Sequence, residues 1–265
     1  MWLSSVSAWG TLKGVSGRPE LIKYLVITNL KLIHQNLVLG YLWWILTPLL
    51  WVVVYWVLVV VIFDRGEPNY PLFLICAILP WRAFAASIGQ SMTCVSGQER
   101  LIKQVAFPKA VLPISVVLSN AVNLAFGLLI VTIAAMFYRV PITGYLLLLP
   151  VIALVQLVFT AGLAFFLSIL AVYVADIRNL MQFVLRIWLY LSPSLYALER
   201  VPERFQNVYM LNPFAPIFTS YRNVVMRGEA PDWGWLAVAF AISLATLVAG
   251  FVFFASQERR LMKVI

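Results

Sequence analysis

From Gly40 to Phe63 the chain carries no charge, and apart from Gly40, Thr47 and Pro48 it is built only from Leu, Val, Ile, Phe, Trp and Tyr. A helix rises ~1.5 Å per residue, so about 20 such residues cross the ~30 Å hydrocarbon layer of a bilayer. A continuous apolar rod of that length does not fit the core of a small soluble domain, and the stretch predicts a transmembrane helix. The rest of the chain agrees. Of its 265 residues, 63% are hydrophobic and 11% charged, and the mean hydropathy is +0.94, which leaves a polytopic membrane protein as the class that fits. The scattered charges Lys13, Arg18, Glu20 and Lys23 within Met1–Lys31, with no small-residue cleavage site, do not read as a removable leader.

Further apolar runs divide 1–265, read as one transmembrane domain, into six expected spans at 40–63, 71–95, 111–138, 144–174, 179–198 and 233–256. The second is interrupted by Pro80-Trp81-Arg82. Ahead of them, 19–35 begins with proline at its first helical position and carries Glu20, Lys23, Lys31 and His34 as one polar stripe, predicting an amphipathic helix in the interface plane. The span at 179–198 contains Arg186 and Pro193 and is included on parity. Six crossings put the basic tail Arg259-Arg260 on the side of the N-terminus, as the positive-inside tendency requires. Every lysine then falls on that side, and the charges of the other side cancel. The net charge of +9 is thus a topology signal, and nucleic-acid binding drops out. The outer segment 199–232 holds two short apolar stretches hinged at Asn212-Pro213, predicting a re-entrant pair of short helices, which membranes tolerate where protein buries the irregular backbone. The expected fold is therefore an all-α polytopic membrane protein with six transmembrane helices. Cys76 and Cys94 share one predicted helix, ~27 Å apart, and cannot bridge each other.

The chemistry is sparse. The predicted spans contain no Asp, Glu or His, only Arg82 and Arg186, and arginine does not release its proton in proteins. Proton coupling and carboxylate acid–base catalysis both lack their residues. No Gly-x-x-x-x-Gly-Lys-[Ser/Thr] phosphate loop occurs. No catalytic residue, metal ligand or cofactor site is expected in this chain, so any energy must come from a separate partner. Trp44, Trp51 and Tyr55 lie seven and four apart on one helix face. They either fill helix contacts and face lipid, or line a path for a ligand that stacks on rings and brings its own hydroxyls. Trp188 and Tyr190 are further candidates for that path. Arg82 either reaches a polar interior or a backbone carbonyl, or meets a pyrophosphate or acidic sugar in transit. In the loop 96–108, Ser96 and Glu99 fit a capping box, followed by Arg100, Lys103 and Phe107 before Pro108. The result is a short basic helix that either lies on the membrane surface or docks a cytosolic motor.

Several stretches carry a resemblance. Leu39-Gly-Tyr-Leu-Trp-Trp-Ile-Leu-Thr-Pro-Leu-Leu, Leu101-Ile-Lys-Gln-Val-Ala-Phe-Pro-Lys-Ala-Val-Leu-Pro, Asp176-Ile-Arg-Asn, Leu191-Ser-Pro-Ser-Leu-Tyr and Asn212-Pro-Phe together resemble the membrane (permease) subunit of polysaccharide-exporting ABC transporters. That group exports O-antigen, teichoic acid and capsule chains. The resemblance implies a homodimer joined to two ATP-binding-cassette subunits, which bind the ATP and Mg. It also implies a coupling helix at Ser96, Glu99, Arg100, Lys103 and Phe107, and a continuous channel for a lipid-linked polysaccharide. The implied location is the bacterial cytoplasmic (inner) membrane with both termini cytoplasmic. Export of an O-antigen-like chain is the main expectation, with capsule or teichoic acid as the alternative. A membrane-embedded glycan- or lipid-modifying enzyme, drawing on Glu199, Glu203, Glu229 and Asp232, is the alternative from another class. Flat rings suit export, because a sliding glycan must be held weakly at many points.

Overall fold

A computed structural model describes residues 17–34, 42–64, 66–105 and 107–264, and among these every regular element is helical. The helices are α1 (Pro19–His34), α2 (Leu42–Trp56, continued by a π-helical turn Val57–Ile62), α3 (Tyr70–Cys94), α4 (Glu99–Gln104), α5 (Val111–Phe137), α6 (Leu149–Tyr173, entered through a 3-10 turn Gly144–Leu148), α7 (Ile177–Tyr190), α8 (Glu203–Tyr209), α9 (Phe214–Arg222, continued by a π-helical turn Asn223–Arg227) and α10 (Trp233–Val264). Proline sits in the first turn of α3 and of α6, where the missing N–H would have had no helical partner anyway. Among the described residues, four helical segments are long and apolar enough to cross a membrane: Tyr70–Cys94, Val111–Phe137, Gly144–Tyr173 and Trp233–Glu258.

In lipid, helix association relies on close packing and interhelical hydrogen bonds, because the tails are as apolar as leucine. The packing here is centred on α3. In the most apolar window of that helix 78% of residues are buried, against 22% for α10, so α3 is the inner rod and α10 a flank. α3 packs between α5 and α6, α10 runs along α6, and α1 lies against α5, with Leu25 buried at that contact and Asn29 reaching Ser115 at 3.5 Å. The short α9 inserts among α3, α6 and α10, burying Phe214, Ala215, Ile217 and Phe218 completely.

The interruption at Pro80-Trp81-Arg82 leaves α3 whole, and it runs through Pro80 as one helix. The buried Gln156 side chain of α6 donates to the Pro80 carbonyl at 2.8 Å and accepts from the Tyr221 hydroxyl at 3.3 Å, tying α3, α6 and α9 together at this level. Two expectations are corrected. The helix within 179–198 stops at Tyr190 after 14 residues, roughly 21 Å at the helical rise, too short to cross by itself. Finally, the capping box at Ser96 does not form. Ser96 lies in a 3-10 turn, α4 begins only at Glu99, and its N-cap Gln98 makes no side-chain cap bond. α4 ends at Gln104 with Val105 extended, leaving Phe107 outside the helix.

Candidate translocation surface and coupling loop

The end of α7 explains two of the quoted motifs. Any helix leaves its last four carbonyls without helical donors, a cost that rises where water is scarce. Here side chains meet them one by one. The carbonyls of Trp188, Leu189 and Tyr190 accept from Ser192 Oγ at 2.8 Å, Ser194 Oγ at 2.7 Å and Tyr196 Oη at 3.1 Å, and that of Leu191 from Asn212 Nδ2 at 3.5 Å. Asn212 also donates to Ser192 Oγ at 2.8 Å. Its own Oδ1 accepts from the Trp188 indole at 3.0 Å and from the Phe214 amide at 3.2 Å. Leu-Ser-Pro-Ser-Leu-Tyr and Asn-Pro-Phe are thus the two halves of one joint that turns the chain from α7 toward the α8–α9 pair. Tyr209 of α8 meets Tyr196 hydroxyl to hydroxyl beside it.

Of the expected path residues, the structure brings three together. Trp51 is 49% exposed and stacks on Tyr55 at 5.7 Å between centroids and 26° between planes. Tyr55 is buried, and its hydroxyl lies 3.2 Å from that of Tyr190, which is 46% exposed. α2 and α7 therefore meet at the two tyrosine hydroxyls, with the rings of Trp51 and Tyr190 exposed and the buried Tyr55 linking them. Trp188 is separate. It packs edge-on against Trp81, Phe84, Phe159 and Phe214, with centroids 5.6–6.2 Å away, which gives it a packing role in the core. The side chain of Trp44 lies outside the described residues. Arg82 is also apart, half-buried at a cavity of about 150 Å³ between α3 and α5.

On the loop after α3, Glu99 accepts from Lys103 one turn later at 2.6 Å, with both side chains more than half exposed. The Lys103 ammonium holds the Glu99 carboxyl below the usual carboxylate range. Arg100 is exposed as well. Ser96 Oγ instead accepts from Arg178 at 2.9 Å, tying this loop to the start of α7. Phe107 is buried at 4% in a cluster with Leu25, Val95, Ile102, Phe165 and Phe254, and Lys109 Nζ sits 5.5 Å over its ring. Phe107 therefore seats the loop, while Glu99, Arg100 and Lys103 form its exposed face.

The carboxylates of the 199–232 segment do not converge. Glu199 accepts from Arg227 at 2.9 Å, and Glu67 from Arg200 at 2.8 Å. Asp232 caps the first turn of α10 by accepting from the Trp235 amide at 3.2 Å. Partial burial, the largest single influence, pushes Glu199 upward, but the bond and charge of Arg227, a backbone hydrogen bond and the charge of Arg222 together hold the carboxyl below its ordinary value. Arg222, one of the charges that cancel on the side opposite the basic tail, is buried at 6%. It donates to the carbonyls of Phe73, Pro193 and Ser194 and stacks 3.4 Å over the Phe73 ring. A signal existed, since Phe214, Phe218 and Arg222 follow at intervals of four and share one helix face.

These features define a helical membrane body whose polar groups serve joints, caps and two exposed faces. The chain belongs to the ABC-2 type transporter family, whose description matches residues 20–226; this is a family of transporter membrane subunits. It is 32% identical over 236 residues to the O-antigen export system permease protein RfbA of Myxococcus xanthus, covering 88% of this chain and 91% of the relative. It is 28% identical over 243 residues to the protein of the same name from Klebsiella pneumoniae, covering 91% and 93%.

Proposed function

We propose that this chain is the permease subunit of an ATP-driven exporter that moves a lipid-linked, O-antigen-like polysaccharide across the bacterial inner membrane. The observation that carries the reading is the similarity, along nearly the whole of both chains, to relatives named as O-antigen export permeases. In this reading two copies assemble with two subunits that bind ATP and Mg. α2 and the α7–α9 segment complete a six-span plan with a re-entrant pair, and both termini face the cytoplasm. The exposed rings of Trp51 and Tyr190, held in place by the buried Tyr55, lie along the glycan path, since sugar rings offer apolar C–H faces for stacking and hydroxyls for the tyrosine. Trp51→Ala combined with Tyr55→Ala, expressed in cells lacking the native copy, should reduce the amount of surface polysaccharide by about tenfold, two stacking contacts being lost. Unchanged amount and length, with the variant present in the membrane at normal level, would rule out this surface as the path.

The exposed face of α4 supplies the contact with the ATP-hydrolysing partner. Reversing Arg100 and Lys103 together to glutamate should abolish copurification of that partner, because like charges then face whatever acids the basic pair meets. Intact copurification with full ATPase activity would remove these residues from the contact.

A further inference from the structure

The α3–α5 cavity contains an unmatched cation. At ~1.5 Å per residue Arg82 lies roughly 18 Å along α3 from Tyr70, well within hydrocarbon depth. It makes no hydrogen bond or ion pair among the described residues. None of the ten acidic residues lies on α3, α5 or α6, so the helices around the cavity supply no counter-ion. Arginine keeps its proton and presents five N–H donors, and an unpaired charge at this depth is costly.

The neighbouring amides add donors. Asn120, 1% exposed, donates to Gln90 Oε1 at 2.8 Å and to the Val116 carbonyl at 3.0 Å, while Asn123 donates to Asn120 Oδ1 at 3.3 Å. These bonds fix the amides and engage the oxygens of Gln90 and Asn120, leaving the guanidinium, Gln90 Nε2 and one amide oxygen, Asn123 Oδ1, at the cavity. Gln90 also lines a second cavity of about 310 Å³ beside Asn29 and Ser115, so a polar track leads from Arg82 toward the loop end of α3. Ala86 and Gly127 leave the cavity its width. Arg82, Ala86 and Asn123 are half-buried, so the cavity opens between α3 and α5, where the exposed residues of α5 include Val122 and Phe126.

We infer that the Arg82–Gln90–Asn123 cavity is a binding site for the phosphate or pyrophosphate headgroup of a membrane lipid. With the five guanidinium N–H groups and Gln90 Nε2 set against the single free oxygen of Asn123, the cavity has a surplus of donors and a positive charge, which selects an anion with several oxygens. A guanidinium engages phosphate oxygens in pairs, and a carboxylate would leave most of these donors unmet. The apolar surroundings of the opening select an amphiphile over a soluble anion. The site rests on the export reading only for which lipid occupies it. Its test uses no transport step, so a failure here leaves that reading standing.

The purified full chain in nanodiscs is titrated with a short-chain prenyl pyrophosphate, phosphatidylglycerol and inorganic pyrophosphate, with binding read by native mass spectrometry. The pyrophosphate lipid should bind saturably, and Arg82→Gln should weaken it ~10- to 100-fold, as for loss of a charge-assisted pair of hydrogen bonds. Arg82→Lys should restore part of the affinity. Ala86→Leu, which fills the cavity and leaves the charge in place, should abolish binding, and it keeps the test decisive if Arg82→Gln does not fold. Preference for the prenyl pyrophosphate assigns the site to the exported lipid, and equal, Arg82-dependent binding of phosphatidylglycerol assigns it to bulk anionic lipid. Binding of inorganic pyrophosphate alone, equal affinity in all variants, or Arg82→Gln dissociating a dimer while lipid binding persists would each overturn the proposal.

Discussion

Gly250→Ala should lower the thermal unfolding midpoint of the purified protein by roughly 10 °C, and Gly250→Leu should prevent recovery of folded material. A methyl group on Gly250 would lie 2.1 Å from the Gly162 carbonyl oxygen and 2.9 Å from its carbon. One on Gly162 would meet the backbone of Thr246 and Leu247 at 2.5 Å. Ordinary C···O contacts are ~3.3–3.6 Å, so α6 and α10 must part by about 1 Å. What is hit is backbone, which cannot swing aside as a side chain can. The separation also loosens Phe165 from Phe251 and Phe254, now 5.3 and 5.5 Å between centroids, and dispersion falls off steeply over such a gap. Overpacking of this kind costs about 3 kcal/mol, which for a chain of this size gives the stated shift. Gly89→Ala is the control. Its added methyl meets nothing within 4 Å, and alanine is the better helix former by up to ~1 kcal/mol, so that midpoint should hold or rise. Equal midpoints for Gly250→Ala and the unsubstituted protein would show that the helices do not cross this closely.

The long apolar helices were readable because hydropathy and length are properties of a continuous stretch. α5 and α6 need no distant residue to declare them. The hinge at Asn212-Pro213 was readable for the same reason, since proline ends a helix locally. The early stop of α7 was not. Its last carbonyls are met by Asn212 and Tyr196 as well as by the adjacent serines, and nothing within 179–198 says that a residue more than a turn away will complete the cap. Ser96 failed in the opposite direction. Its local pattern fits a capping box, but Arg178 and Lys103 took the two partners that the box needs, a tertiary contact overriding a local preference. Of the candidate site, Trp51 and Tyr55 were legible from their spacing. Their union with Tyr190 was visible only once α7 was placed against α2, and the Gln90–Asn120–Asn123 network around Arg82 required α5 to lie beside α3.

Arg222→Met should destabilise the protein by about 3–5 kcal/mol, the range for removing one member of a buried charged network. Arg222 binds three carbonyls from two different elements, Phe73 in α3 and Pro193 and Ser194 in the turn after α7. It thereby fixes α9, which carries it, to both. Methionine matches much of the volume but leaves three buried acceptors unmet and removes the cation from the Phe73 ring, an interaction worth ~2 kcal/mol when desolvated. Arg222→Lys should fall between the two, because an ammonium keeps the charge but cannot fork to carbonyls in separate elements. The exposed pair Arg227–Glu199 gives the comparison: Arg227→Gln should cost no more than ~1 kcal/mol. Limited proteolysis adds a local readout, since Arg222→Met should expose the turn at Ser192–Ser194 to cleavage while Arg227→Gln leaves it protected. If Arg222→Met and Arg227→Gln unfold at the same temperature and are cut at the same rate, the buried guanidinium does not hold the α7–α9 joint, and the placement of α9 must come from the packing of Phe214 and Phe218 alone.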